Sequence, residues 1–181
     1  MKIKNKGITV TGLMRQSAKY NANRISIVAG DRRLTYAEAW NRGVRLANGF
    51  LSMGLSPGDR VAVLEDNSIE AQDFFLGSAI AGLVRVPLYA RNSVESHAHM
   101  INQTGARAVI LSKNYESELH EALAETKTVN NLIVRDEGYE DWLNGFSEVE
   151  SSIRIEPDDW YIIRHTGGTT GKAKGVAYSH K

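Results

Sequence analysis

From Asp59 to Arg135 the chain alternates short apolar runs with longer segments of helical pattern. No other feature of the sequence constrains the fold as tightly. Residues 60–64, 83–88, 107–111 and 131–135 read as strands, and 68–81, 93–104 and 115–126 read as the helices between them. A crossover helix returns the chain to the end where the previous strand began, so neighbouring strands run parallel and the sheet must be covered twice. The predicted class is α/β, a parallel-rich sheet flanked by helices on both faces with right-handed crossovers. Ser68 and Ser93 stand where side-chain caps start helices, and Gly105 where a left-handed residue stops one.

The flanks follow other rules. Residues 13–20 read as an opening helix, and 25–29 with 33–35 as a hairpin turning at Gly30-Asp31. Thr35 and Glu38 have capping-box spacing, which satisfies two free amides reciprocally at a helix start. Behind them Tyr36, Ala39, Trp40, Val44, Ala47, Phe50 and Leu51 share one helical face, and Gly54 ends the run. Residues 136–156 are acidic and weakly patterned, with one helical turn expected at 139–143. After Pro157, residues 160–164 and 176–178 read as a terminal strand-loop-strand hairpin. The chain thus divides into an α/β layer (1–135), a variable connection (136–156) and the hairpin (157–181).

Composition excludes several classes. With 22 basic and 21 acidic residues there is no global charge to recruit nucleic acid. With no cysteine there is no disulfide framework, thiolate metal site or cysteine nucleophile. No run reaches the length of a membrane span, and the basic N-terminus has no signal core behind it, so a cytoplasmic protein is expected. His97 and His99, two apart on a helix, diverge in direction and are read as a surface pair, not as metal ligands. Glu116, Glu118 and Glu121 around His120 read as a solvated face. Trp40, Phe50, Phe74 and Phe75 read as core. No Gly-x-Ser-x-Gly elbow is present.

The chemistry lies in the hairpin tip. Residues 166–174 hold three glycines, three threonines and two lysines. Glycines let backbone amides approach phosphate oxygens, hydroxyls add donors, and cations offset the charge. A P-loop is excluded by spacing: Gly167 and Gly171 are separated by three residues, not four, and Ala173 follows Lys172 where a metal-binding hydroxyl belongs.

The segment resembles instead the signature of the adenylate-forming, AMP-binding superfamily of acyl-CoA synthetases, luciferases and peptide-synthetase adenylation domains. That signature reads Tyr-Thr-Ser-Gly-Thr/Ser-Thr-Gly-x-Pro-Lys-Gly. Thr166, Gly168, Thr169, Thr170, Gly171, Lys174 and Gly175 match, whereas His165, Gly167 and Ala173 depart. Leu34-Thr35-Tyr36-Ala37-Glu38, Gly54 to Ala62 and Gly82 to Leu88 are similar to earlier blocks of the same family. The resemblance is closest in general to acyl-CoA synthetases.

The resemblance implies a carboxylic acid attacking the α-phosphate of ATP, with Mg carried by the nucleotide. The acyl-adenylate so formed then passes its acyl group to a thiol, with coenzyme A the expected acceptor. It implies that Thr166, Gly167, Gly168, Thr169, Thr170 and Gly171 contact phosphate and that Lys174 is the paired cation. Lys172 falls where the family leaves the residue free. Gly167 removes a hydroxyl donor and Ala173 removes a proline's stiffness. Family members are several times longer, so the chain is expected to be the N-terminal subdomain of a larger AMP-binding domain. On that expectation it holds no catalytic residue and no protein-bound metal, needs the C-terminal remainder, and does not adenylate alone. Homo-oligomerisation stays open, as do two further readings. One is a stand-alone nucleotide- or phosphate-binding module. The other is an adenylating enzyme for an aryl or amino acid.

Overall fold

The computed structural model describes residues 8–167 and 172–181. In chain order the elements are α1 (Val10–Tyr20), β1 (Ile25–Ala29), β2 (Arg32–Thr35), α2 (Tyr36–Ser52), β3 (Arg60–Leu64), α3 (Ile69–Ile80), β4 (Val84–Pro87), α4 (Val94–Thr104) and β5 (Ala108–Ser112). A short 3₁₀ turn (Lys113–Tyr115) then leads into α5 (Glu116–Ala124), β6 (Asn131–Arg135), α6 (Tyr139–Asn144), β7 (Trp160–His165) and β8 (Gly175–Ser179).

The helix starts are built as the sequence signals require. Thr35 Oγ1 accepts from the Glu38 amide while the Glu38 carboxylate accepts from the Thr35 amide, closing the capping box on α2. Ser68 accepts from Ala71 N and Ser93 from Ser96 N. Gly105 closes α4 at φ +61°, a backbone region that costs residues with a Cβ.

β1 and β2 form the expected hairpin, and the remaining strands make a six-stranded sheet in the order β6-β5-β3-β4-β7-β8. Every pairing from β6 through β7 is parallel, and β8 returns antiparallel to β7. Alternate side chains of each strand enter opposite layers. Val61, Val63, Ala108 and Ile110 join Phe50, Phe74 and Leu143 of α2, α3 and α6. Ala62, Leu64, Val109 and Leu111 join Met100, Ile101 and Leu119 of α4 and α5. The sheet is therefore covered on both faces, as the strand–helix alternation predicts. Burial of each of the larger side chains among these, the valines, leucines, isoleucines, phenylalanines and Met100, contributes about 1.5–3 kcal/mol.

Two expectations change. The helical turn near 139–143 is present as α6, but it is part of the core: Tyr139 and Leu143 are buried against α2 and α3. Arg42 of α2 ties it in, reaching Asp73 of α3 through Nε and Nη2 (2.8 and 2.6 Å) and Glu140 of α6 through Nη1 (2.7 Å). His97, expected at the surface, is fully buried. Its Nε2 donates to the Tyr89 carbonyl at 3.0 Å, a contact made across the turn between β4 and α4 that helical spacing alone does not reveal.

α2 and α3 touch through glycines. A Cβ on Gly77 would lie 2.9 Å from Leu46 Cβ, and one on Gly43 would lie 2.5 Å from Leu76 Cβ. Alanine gains up to about 1 kcal/mol in helix propensity over glycine. At these distances the helices would have to separate, and overpacking typically costs about 1–3 kcal/mol. Gly77→Ala is therefore expected to lower the urea unfolding midpoint, and an equal or higher midpoint would refute this reading of the contact.

The end of the chain is held by His180, which is buried with its ring centroid 5.1 Å from that of Tyr161. Neither ring nitrogen has a partner among the described residues. Burial disfavours the imidazolium and holds His180 below the usual histidine range. A histidine depressed in the folded state binds more protons when unfolded. Stability is therefore complete above the ordinary value, about 6.5, and falls as pH drops through it towards the folded value. Urea midpoints at pH 7.5 and 5.5 should differ more in the natural chain than in His180→Phe. Equal differences would show that the ring does not titrate with unfolding.

Candidate functional site

The site forms where β7 joins the sheet. Its parallel pairing with β4, with Ile162 opposite Arg85, makes the turn after His165 open at the same end as the turn after Pro87. That is the carboxyl end of the parallel strands, where open α/β sheets place their ligand crevices.

The β7–β8 ladder runs to His165 opposite Gly175. One step beyond it, Thr166 N donates to Lys174 O at 3.0 Å, and Lys174 N lies 3.4 Å from Thr166 Oγ1. Two of the expected phosphate contacts thus face each other across the neck of the loop, both exposed. Gly167 is exposed as well, and a Cβ placed on it would meet open space, so packing does not demand glycine there. Gly168, Thr169, Thr170 and Gly171 lie outside the described residues. Gly175 has a packing reason: a Cβ there would come within 2.9 Å of Ile163 Cγ2 and 3.5 Å of His165 Nε2.

The electrostatics suit an anion. Lys172 and Lys174 are exposed, and neither forms an ion pair among the described residues. Beside them a cavity of about 320 Å³ is lined by Tyr89, Asn92, Glu95, Ser96, His99 and both limbs of the loop. Among the described residues no cluster of three or more histidine and carboxylate side chains could hold a metal ion. No described helix is long and apolar enough to cross a membrane.

Three residues of the site were not singled out for it from the sequence. Tyr89 Oη donates to the His165 carbonyl at 3.1 Å. Gln103 Oε1 lies 3.0 Å from His165 Nε2, and His99 Nε2 lies 3.1 Å from the Ala173 carbonyl. His99 and Gln103 are four apart on α4, so they share a face, and that spacing was available in the sequence. His165, at a position where the family carries an aromatic ring, is buried. Its imidazole is held below the usual range by desolvation first and by neighbouring His99 second.

Comparison with known proteins gives a consistent picture. The sequence profile of the AMP-binding enzyme family matches residues 14–181. The long-chain-fatty-acid–CoA ligase FadD13 of Mycobacterium tuberculosis is 31% identical over 154 residues, 83% of this chain and 30% of that protein. A long-chain-fatty-acid–CoA ligase of Thermus thermophilus is 30% identical over 82% of this chain and 28% of its own length. The crystal structure of the inhibitor-bound N-terminal domain of FACL13 from Mycobacterium tuberculosis superposes with a TM-score of 0.89 at 28% identity, covering 96% of this chain and 45% of that one. The chain therefore spans under a third of the length of these two ligases. The glycine- and threonine-rich loop, its hairpin setting at the carboxyl end of a parallel sheet and the profile match across it establish that this chain belongs to the AMP-binding enzyme family.

Proposed function

We propose that the chain supplies the phosphate-holding part of an ATP-dependent acid–thiol ligase. In that reaction a carboxylate oxygen attacks the α-phosphorus of ATP, the bond to the β-phosphate's bridging oxygen breaks, and pyrophosphate leaves. A thiol then attacks the acyl carbon of the adenylate and releases AMP, with coenzyme A as the acceptor. The observation that carries this reading is the pair of lysines, without ion-pair partners among the described residues, that follow a run of glycines and threonines in a chain whose family membership covers that loop.

The chain's own part is electrostatic. Charge builds on the departing pyrophosphate as the α–β bond breaks, and donors already in place stabilise it without reorganising. Thr166 can donate its hydroxyl hydrogen, since its contact with Lys174 N uses only the oxygen lone pair. Lys174, whose backbone makes the neck contact, serves as the paired cation; Thr169, Thr170 and the backbones of Gly167, Gly168 and Gly171 complete the set. Mg enters with the nucleotide. The relatives named as fatty-acid ligases favour a fatty acid.

The loop serves the pyrophosphate half of the reaction; the ribose, the α-phosphate and the acid need further groups. Titration of the 181-residue chain with ATP should show saturable binding. Lys174→Ala should weaken it about tenfold, the loss expected for one charge-assisted hydrogen bond. Absence of ATP binding by the natural chain would remove the phosphate reading. In the same assay, no pyrophosphate release is expected with fatty, aryl or amino acids. Release above background would show that the chain is a complete adenylating unit.

A further inference from the structure

The loop is held from outside by α4. On the incoming limb, His97 Nε2 donates to the Tyr89 carbonyl at 3.0 Å, and Tyr89 Oη donates in turn to the His165 carbonyl at 3.1 Å. Gln103 adds a second hold on the same limb through His165 Nε2 at 3.0 Å. The outgoing limb, 172–174, is different. Its bonds to Thr166 are internal to the hairpin, and among the described residues one hydrogen bond reaches it from elsewhere, His99 Nε2 to the Ala173 carbonyl at 3.1 Å.

We propose that His99 is a positioning residue for the phosphate loop, holding the peptide of Ala173 so that the cations on either side of it, Lys172 and Lys174, stay directed at the bound phosphates. This deepens the reading of the loop as a phosphate site and rests on it. The Ala173 carbonyl belongs to the same rigid peptide unit as the Lys174 amide, so fixing one fixes the plane from which the Lys174 side chain departs. Alanine itself restricts this backbone little, whereas a proline at this position would lock φ. A bond from a partly buried side chain on the 11-residue helix α4 supplies the restraint instead. His99 must carry its hydrogen on Nε2, because a carbonyl can only accept. The imidazolium carries that hydrogen too, so the contact survives protonation.

Three measurements on the 181-residue chain test this. The first is trypsin cleavage after Lys172 and Lys174, scored against cleavage elsewhere in the chain. His99→Ala should speed these two sites about fivefold, as loss of one neutral hydrogen bond predicts, with other sites unchanged. His99→Gln, whose amide can still donate, should restore the slow rate. A structural defect would instead speed all sites and resist rescue. The second is ATP affinity, which should fall by a similar factor in His99→Ala and recover in His99→Gln. If the natural chain binds no ATP, the phosphate reading fails. If it binds ATP and His99→Ala leaves the affinity unchanged, the positioning role fails while the phosphate reading stands. The third needs no variant: side-chain ¹⁵N spectra at pH 8 should show His99 as the Nε2–H tautomer, and the Nδ1–H tautomer would overturn the proposal even where His99→Ala does not fold.

Discussion

The placement of β7 beside β4 decides what this molecule can do. The chain leaves β6 at one edge of the sheet, passes through α6 and returns across the sheet to lie on the far side of β4. Ile162 and Ile163 are both buried, one on each face, so the strand is gripped from both layers although its ladder with β4 is short. Its direction matters more than its length. Parallel to β4, it delivers His165 and the loop to the end of the sheet where Tyr89 and α4 wait. Antiparallel, the same residues would open at the opposite end, away from His99, Gln103 and Tyr89. The loop's composition suits the phosphate role proposed for it, and the strand's direction gives it neighbours that hold it.

Much of this was legible in advance, for reasons that can be named. Thr35 with Glu38, Ser68, Ser93 and Gly105 act within a few residues of themselves, so their roles could be read locally, and each is realised. The parallel sheet follows from crossover length, which is also local. What failed to show were contacts made at a distance. Residues 137–143 carry Glu140, Asp141, Tyr139 and Leu143 in one turn, a mixture that reads as surface until Arg42 and Asp73 are brought to it by α2 and α3. His97 and His99 look alike in sequence and end in different environments. His97 points into the layer between β4 and α4, and His99 points across to the hairpin, because residues two apart on a helix diverge by more than a right angle. Nothing in their immediate neighbours assigns which is which.

The candidate site was legible by composition and spacing, but only as a list of donors. That Thr166 and Lys174 close its neck is a property of ladder register, with His165 opposite Gly175. Register depends on the whole hairpin, including Gly175, whose missing Cβ leaves room for Ile163. Threonine, lysine and glycine are therefore not independent contributions here. Gly175 lets the strands approach, the approach sets the register, and the register puts the hydroxyl of Thr166 beside the backbone that carries Lys174.

Charge makes the same distinction between structural and available groups. Arg42, Arg107 and Arg135 reach carboxylates at 2.6–2.7 Å, each carboxylate partner being largely buried. Among the described residues Arg85 has no carboxylate partner, but its guanidinium stacks 4.6 Å from the Phe75 ring centroid, which satisfies part of its field locally. Arg42, Arg107 and Arg135 thus tie separate elements to one another. Among the described residues Lys172 and Lys174 have no such partners; both are exposed and sit on either side of Ala173, whose carbonyl α4 holds in place. An exposed lysine is a flexible point charge, and by itself it binds phosphate weakly because its entropy opposes any single geometry. Holding the Ala173 carbonyl lowers that entropic cost for Lys174, whose Cα belongs to the same peptide unit. On the proposed reading, the restraint on the backbone, more than the number of charges, is what makes a loop of such small residues suited to act as a site.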